Sequence, residues 1–422
     1  MERDAIDLVR PRIDARHRGQ PPGLARALDP AGQRPSGPQD GVEQGERLGG
    51  EVEHALASGE SDRGLAEHRA KCRIAVDDQV SRTVGEPGRT RDGPAEHRRL
   101  RPLGGVRAVI GHCRPMMPER FKPGRARYTR AVKVGLMLAQ SGEDGAGATW
   151  AEIASLARQA EDGGIDSLWL SDHFFYRAAD APIGSETGYH EAWTLLSALG
   201  VATTRVELGT LVLATSFRPP GLLAKMAATA DEVAGGRLIL GLGCGWHEPE
   251  YEAFGYPFDH RVGRFEEALR IIVPLIHGDR VTFDGQWSGV REAAILPPAR
   301  PTLPILVAAT GERMLRLTAR HADAWQTAWF GRPDERYRAR HAAFLAACAA
   351  EGRDPATLDV TVGIAVDEKP DPNALPYDAA AITDALAAWA AEGIDHLQLG
   401  LTSTTPATVA IVLDALGRYR AA

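Results

Sequence analysis

From Val132 to the end, short and nearly all-apolar runs alternate with longer stretches of helical period, eight times over. The runs predict strands at 132–138, 167–171, 205–213, 237–242, 304–309, 323–327, 359–366 and 395–401. Helices are expected after them near 149–163, 190–203, 219–233, 261–277, 310–321, 333–351, 379–392 and 405–420. Strands that are apolar on both faces belong to a parallel sheet covered by helices. Eight such units in 291 residues, 132–422, predict an α/β fold, the (β/α)8 TIM barrel, since a doubly wound sheet would leave strands over. A cassette repeats within it: Glu161-Asp162-Gly163-Gly164-Ile165-Asp166-Ser167-Leu168 is echoed by Glu392-Gly393-Ile394-Asp395-His396-Leu397, each a helix end, a glycine stop and the start of a strand. The polar segment 279–298, with Asp284-Gly285 between two short apolar runs, reads as an inserted hairpin.

The first 130 residues break this pattern. They carry 23 Arg, 2 Lys and 19 acidic residues, a net of +6 against −13 for the remainder, and their only aromatics are Phe121 and Tyr128. With Pro, Gly and Arg recurring and neither apolar period sustained, residues 1–131 have little to bury and are expected to form a disordered extension. Arg-rich, Lys-poor text is also what a GC-rich gene yields when read upstream of its true start, with Val132, Met116 or Met117 as alternative initiators. Acidic residues interleave with the basic ones and stacking aromatics are lacking, while the −13 charge of the remainder repels phosphate backbones, so nucleic acid is not an expected partner. The chain has no run of about 20 apolar residues and no secretory leader, so a cytoplasmic protein without a membrane partner is expected. Cys72, Cys113, Cys244 and Cys348 show neither CxxC nor Cys/His spacing, which argues against a disulfide framework and a zinc site.

In a barrel of this kind the chemistry sits at the carboxyl ends of the strands. Ser171-Asp172-His173-Phe174-Phe175 follows the second strand, placing a polar pair where an apolar run stops; His173 is either a satisfied structural residue or a proton-handling group. Gly241-Leu242-Gly243-Cys244-Gly245-Trp246-His247-Glu248 follows the fourth strand. It fails the dinucleotide fingerprint, because its third glycine comes one residue early and Pro249 follows. Its glycines suit either close approach to a flat ligand or a tight rim turn, and Cys244 has no basic neighbour in sequence to activate it. After the fifth strand, Thr310-Gly311-Glu312-Arg313 opens a helix whose free N–H groups can hold a phosphate, unless Thr310 simply caps them.

Further motifs carry a resemblance. Leu168-Trp169-Leu170-Ser171-Asp172-His173, Leu208-Gly209-Thr210-Leu211-Val212, Leu223-Ala224-Lys225-Met226-Ala227 and Gly235-Gly236-Arg237 running into Gly245-Trp246 form one set. Glu250, Phe254-Gly255, Arg264, Glu266, Gly311-Glu312-Arg313 and Ala319-Arg320-His321-Ala322-Asp323-Ala324-Trp325 follow in the same order. Together they resemble the luciferase-like monooxygenase family, and within it the branch that uses the deazaflavin coenzyme F420. The resemblance implies a luciferase-like barrel with a flavin or deazaflavin at its strand ends and phosphate near Thr310 and Gly311. It also implies cofactor contacts from Asp172, Leu211, Val212, Gly243, Cys244, Gly245 and Trp246, a catalytic His173, and a non-proline cis peptide between Leu211 and Val212. Adjacent strand residues point to opposite faces, so His173 is expected to face the cofactor while the Asp172 side chain anchors the loop. The chain departs from the family at Trp246, where the branch oxidising sugar phosphates has a catalytic Glu, and at Ala308-Ala309, where two glycines are usual.

The resemblance implies hydride transfer between reduced F420 and a small apolar or aromatic molecule, because a deazaflavin is a hydride carrier and Asp172-His173 is similar to its users. FMN-dependent oxygenation and non-catalytic flavin binding are the alternatives. Phe174, Phe175, Trp246 and Trp325 are expected around the ring, with core packing as the alternative for Trp325, and a homodimer is one open assembly. A chain beginning at Val132 should keep its fold and activity; a melting temperature several degrees lower at equal concentration would refute this.

Overall fold

The computed structural model describes residues 132–141, 148–178, 181–369 and 372–422. The extension expected at 1–131 lies outside the described residues. Eight parallel strands form the barrel: β1 (Lys133–Met137), β2 (Ser167–Leu170), β3 (Glu207–Thr210), β4 (Leu238–Gly243), β5 (Ile305–Ala308), β6 (Ala324–Phe330), β7 (Asp359–Val366) and β8 (His396–Leu401). Each is followed by a helix of the outer ring: α1 (Trp150–Asp162), α2 (Ala192–Ala202), α3 (Pro220–Val233), α4 (Arg261–Ile276), α5 (Glu312–His321), α6 (Glu335–Ala350), α7 (Ala379–Ala391) and α8 (Pro406–Ala421). Pairing of Lys133 with His396 closes β1 on β8, and Ile305 with Leu240 joins β5 to β4. Among the described residues no helix is long and apolar enough to cross a membrane.

The repeated cassette has a mechanical reason. Asp166, just before β2, accepts from Val134 N of β1 (2.8 Å); Asp395 before β8 accepts from Val360 of β7 (2.8 Å), and Asp323 before β6 from Ile305 of β5 (3.0 Å). Each aspartate satisfies a donor at the amino rim and holds two neighbouring strands in register. At the other end of its unit, α1 starts on a capping box in which Thr149 Oγ1 accepts from Glu152 N and Glu152 Oε2 accepts from Thr149 N. Its Ile153, Leu156, Ala157 and Ala160 then pack inward at helical spacing.

The lumen is filled largely by one side chain. Trp169 is fully buried, and its Nε1 donates to Ser167 Oγ (2.7 Å), which lies 2.7 Å from His396 Nε2. Room for the indole comes from Gly135 and Gly209 on the flanking strands, where an added Cβ would lie 2.5 Å from Trp169 Nε1 and 2.3 Å from its Cζ3.

Two details differ from the expected elements. The run 205–213 is not one strand: it breaks after Thr210 and resumes as Leu213–Ala214 beside the end of β4, with a cis peptide between Leu211 and Val212. Thr210 O approaches β4 so closely that a Cβ on Gly241 would lie 1.8 Å from it, so the chain steps aside at that point. A short helix absent from the expected elements, Glu248–Phe254, carries Pro249 in its first turn, where proline is tolerated because that N–H needs no partner. The inserted hairpin pairs Val281–Asp284 with Gly289–Ala293, and its turn N–H groups at Gln286, Trp287 and Ser288 all donate to Glu267 of α4. Replacing Gly209 by Ala should cost about 1–3 kcal/mol through overpacking against Trp169. Chemical denaturation should show that cost shrinking when Trp169→Leu is combined with it.

Candidate active site at the carboxyl ends of the strands

A cavity of about 1420 Å³ opens at the carboxyl end of the barrel. The expected residues meet there from four strand ends: Asp172 and His173 after β2, Leu211 and Val212 after β3, Gly243 to Trp246 after β4, and Thr310 and Gly311 after β5. Tyr176, Tyr189, His247 and Trp329 join them. Trp329 lies beyond the expected end of the sixth strand and across β7 and β8, where a Cβ on Gly363 or Gly400 would meet its ring at 2.9 and 2.8 Å. The Ala328–Trp329 peptide is also cis.

Three of the expected aromatic walls are elsewhere. Trp325 points outward, fully buried, stacked on Phe344 at 4.4 Å and donating to Ala309 O. Its neighbour Gln326 takes the cavity face, because successive strand residues alternate sides. Phe174 packs with Phe217, Phe254 and Tyr256, and Phe175 packs near His247 and Phe254, so both fasten the β2 loop to the short helix rather than face the cavity.

His173 Nδ1 lies 2.8 Å from Glu250 Oε2, and the carboxylate is buried. Glu250 Oε1 accepts from Phe174 N (2.5 Å) and Phe175 N (3.2 Å), so one carboxylate holds three consecutive residues of the β2 loop. An ionised carboxylate only accepts, so Nδ1 carries the proton toward Glu250 and Nε2 is left as the exchangeable nitrogen. Trp246, Tyr189 and His247 surround the ring edge-on at 5.5, 5.8 and 5.9 Å. His247 Nε2 accepts from Arg177 N (3.3 Å), and burial lowers its pKa although the Glu250 carboxylate opposes this, so it is neutral at pH 7.

Asp172 borders the cavity, but both its oxygens are engaged: Arg218 donates to each (2.8 and 3.0 Å), and Ala214 N donates to Oδ2 (3.0 Å). Burial pushes this carboxyl up while Arg218 pulls it down, and Arg218, though burial opposes it, is held above its ordinary value by Asp172 and Glu191. With two guanidinium bonds in place we read an ionised pair that ties the β2 loop to the continuation of β3. Cys244 does have a basic neighbour, Arg261, reached through the fold rather than the sequence; burial outweighs it and raises the thiol pKa, so the group stays protonated. Gly245 has φ +77°, and a Cβ there would lie 1.7 Å from the Tyr251 hydroxyl, which explains a glycine in that loop.

Thr310 is not the cap of α5. Gly311 is, with no side-chain hydrogen bond to the first turn and open space where its Cβ would stand. From that terminus Thr310, Gly311 and Met314 border the cavity. Gln326, 4% exposed, contributes an Nε2 without a partner among the described residues.

Residues 132–371 match the luciferase-like monooxygenase family. An F420-dependent glucose-6-phosphate dehydrogenase of Mycolicibacterium gilvum is 31% identical over 227 residues, 52% of this chain and 66% of the relative, so the match stops just short of two thirds of that protein. A phthiodiolone/phenolphthiodiolone dimycocerosates ketoreductase of Mycobacterium kansasii is 34% identical over 259 residues, 55% of this chain and 70% of the relative. The fold is similar to that of an F420-dependent secondary alcohol dehydrogenase solved with an F420–acetone adduct, at a TM-score of 0.58 and 19% identity, covering 69% of this chain and 100% of the other. With the family match spanning more than half its length, the chain belongs to the luciferase-like monooxygenase family.

Proposed function

We propose that this chain is a coenzyme F420-dependent oxidoreductase that transfers a hydride between the reduced deazaflavin and a small organic substrate. The observation that carries the reading is one cavity with an uncapped helix amino end on one wall and, on another, an imidazole fixed by a buried carboxylate. The naming of two-electron F420 enzymes among its relatives supports it.

The residues fit such a cofactor. The open N-cap at Gly311 and the free N–H groups behind it suit a phosphate, and the unpartnered Gln326 Nε2 suits a polar acceptor. Leu211 and Val212 offer an apolar wall beside Gly243, where a Cβ would lie 2.7 Å from Val212 Cγ2. When bound, the reduced deazaflavin supplies the hydride. Everything else falls to the chain. Glu250 fixes the ring of His173, whose Nε2 gives a proton to the substrate oxygen or carbon that becomes anionic, and takes one back in the reverse direction. Asp172 and Arg218 hold the loop that carries His173 against β3, and Trp246 and Tyr189 shield the imidazole from water.

His173→Ala should lower turnover by about 10²–10⁴-fold with cofactor affinity little changed, read by F420 absorbance and by titration. Glu250→Gln keeps an acceptor for the loop N–H groups but not the carboxylate, and should lower turnover by roughly tenfold or more while displacing the pH–rate profile. Tighter binding of FMN than of F420, with oxygen-dependent turnover, would replace hydride transfer by oxygenation. Abolished binding in His173→Ala, with normal turnover of the bound fraction, would make the histidine a binding group.

A pH effect follows from His247, whose native pKa lies below the ordinary 6.5 because it is buried. The unfolded chain takes up the proton first, so this contribution to stability is whole above about 6.5 and is lost as pH falls through the native value. The melting temperature should drop more steeply between pH 7 and pH 5 in the parent than in His247→Gln.

A further inference from the structure

The cavity is larger than the roughly 300–1000 Å³ that one small-molecule site usually occupies, so a second molecule fits beside a cofactor. Its wall has an unusual charge pattern. Among the described residues that line it there is no lysine and no arginine, whereas four are acidic: Glu152, Asp172, Glu250 and Glu368. The nearest guanidinium groups are engaged elsewhere: Arg177 with Glu186 (2.9 Å), Arg218 with Asp172 and Glu191, and Arg261 with Gly245 O (2.9 Å). His247 is neutral. The amino ends of α1, α5 and α8 border the cavity, and of these α5 alone has no side-chain cap, so a cofactor phosphate would sit there, while Thr149 and Thr405 already cap the other two. What is left for the second molecule is aromatic at Tyr176, Tyr189 and Trp246 and hydroxyl-bearing at Thr402, Ser403 and Thr404.

We propose, resting on the function inferred above, that the substrate carries no anionic group: it is a neutral organic carbonyl compound or alcohol, and phosphorylated or carboxylated molecules are rejected. A buried anion is held by a countercharge that replaces its lost hydration, and among the described residues this wall supplies none once the α5 terminus is filled; the hydroxyl and aromatic donors that remain carry no charge. Rejection by charge discriminates more sharply than added apolar contact, because the unwanted ligand must leave its hydration behind with nothing in exchange. The reaction balances without further groups: the carbonyl carbon gains the hydride, its oxygen gains the His173 proton, and the deazaflavin is oxidised by two electrons. A neutral substrate would set the chain apart from relatives named for glucose 6-phosphate, a dianion.

The test uses the full chain and a matched pair of ketones, acetophenone and 4-acetylbenzoate, together with glucose 6-phosphate. Binding is read as a melting-temperature shift with the α5 terminus saturated either by F420 or by inorganic phosphate, and turnover as oxidation of reduced F420. Acetophenone should bind about tenfold or more tightly than either anion in both conditions. The exposed Glu368→Lys variant should narrow the gap between 4-acetylbenzoate and acetophenone affinity by about twofold to tenfold at low ionic strength. Equal or tighter binding of an anion, no preference between the two ketones, or no narrowing in Glu368→Lys would overturn the proposal. Failure of F420 to bind, with the neutral preference intact in phosphate, would instead sink the hydride-transfer reading and leave the charge rule standing.

Discussion

A parallel sheet that closes on itself encloses a lumen that side chains must fill, and here the indole of Trp169 fills it between Gly135 and Gly209. The indole nitrogen is satisfied by Ser167, which in turn meets His396 across the closing seam, whereas the buried Gln398 side chain of β8 has no partner among the described residues. With that floor fixed, the strand ends above it have defined positions. The aspartates at the amino rim do the complementary task from below by holding neighbouring strands in register.

Above the floor, the site is organised from the short helix Glu248–Phe254. Its Glu250 reaches back to the β2 loop, 77 residues earlier, and holds it by one imidazole and two backbone N–H groups. Phe174 and Phe175 press the same loop onto that helix. The imidazole is therefore positioned by a rigid element and an aromatic pad, which is what a proton-transfer group needs if its geometry is to persist when a ligand enters.

Much of this was legible before the structure. All eight strands and eight ring helices lie within a few residues of their expected places, because length, period and glycine stops speak for each unit separately. Residues at the strand ends were found for the same reason, as polar or glycine letters interrupting apolar runs. Facing was harder to read. In a strand buried on both sides, composition does not say which alternate residues look inward, so Trp325 stood between cavity wall and core packing; it packs in the core and Gln326 takes the cavity face. Glu250 stood in the resemblance without a role, since its bond to His173 spans a distance that no local pattern encodes. Trp329 was missed because the sixth strand runs to Phe330, beyond the apolar stretch that announced it.

The seam between β1 and β8 also bears on when the cavity can come into being during synthesis. Lys133 and His396 pair across nearly the whole length of the barrel sequence, and Gly400 and Thr402 to Thr405 complete the wall only after that pairing. A ribosome-bound chain that has not yet released β8 has an open sheet, a Trp169 lacking its His396 neighbour, and three sides of a pocket. A ligand that needs the complete wall can bind only once β8 is in place: it can reward completion, but it cannot template the folding of what comes before.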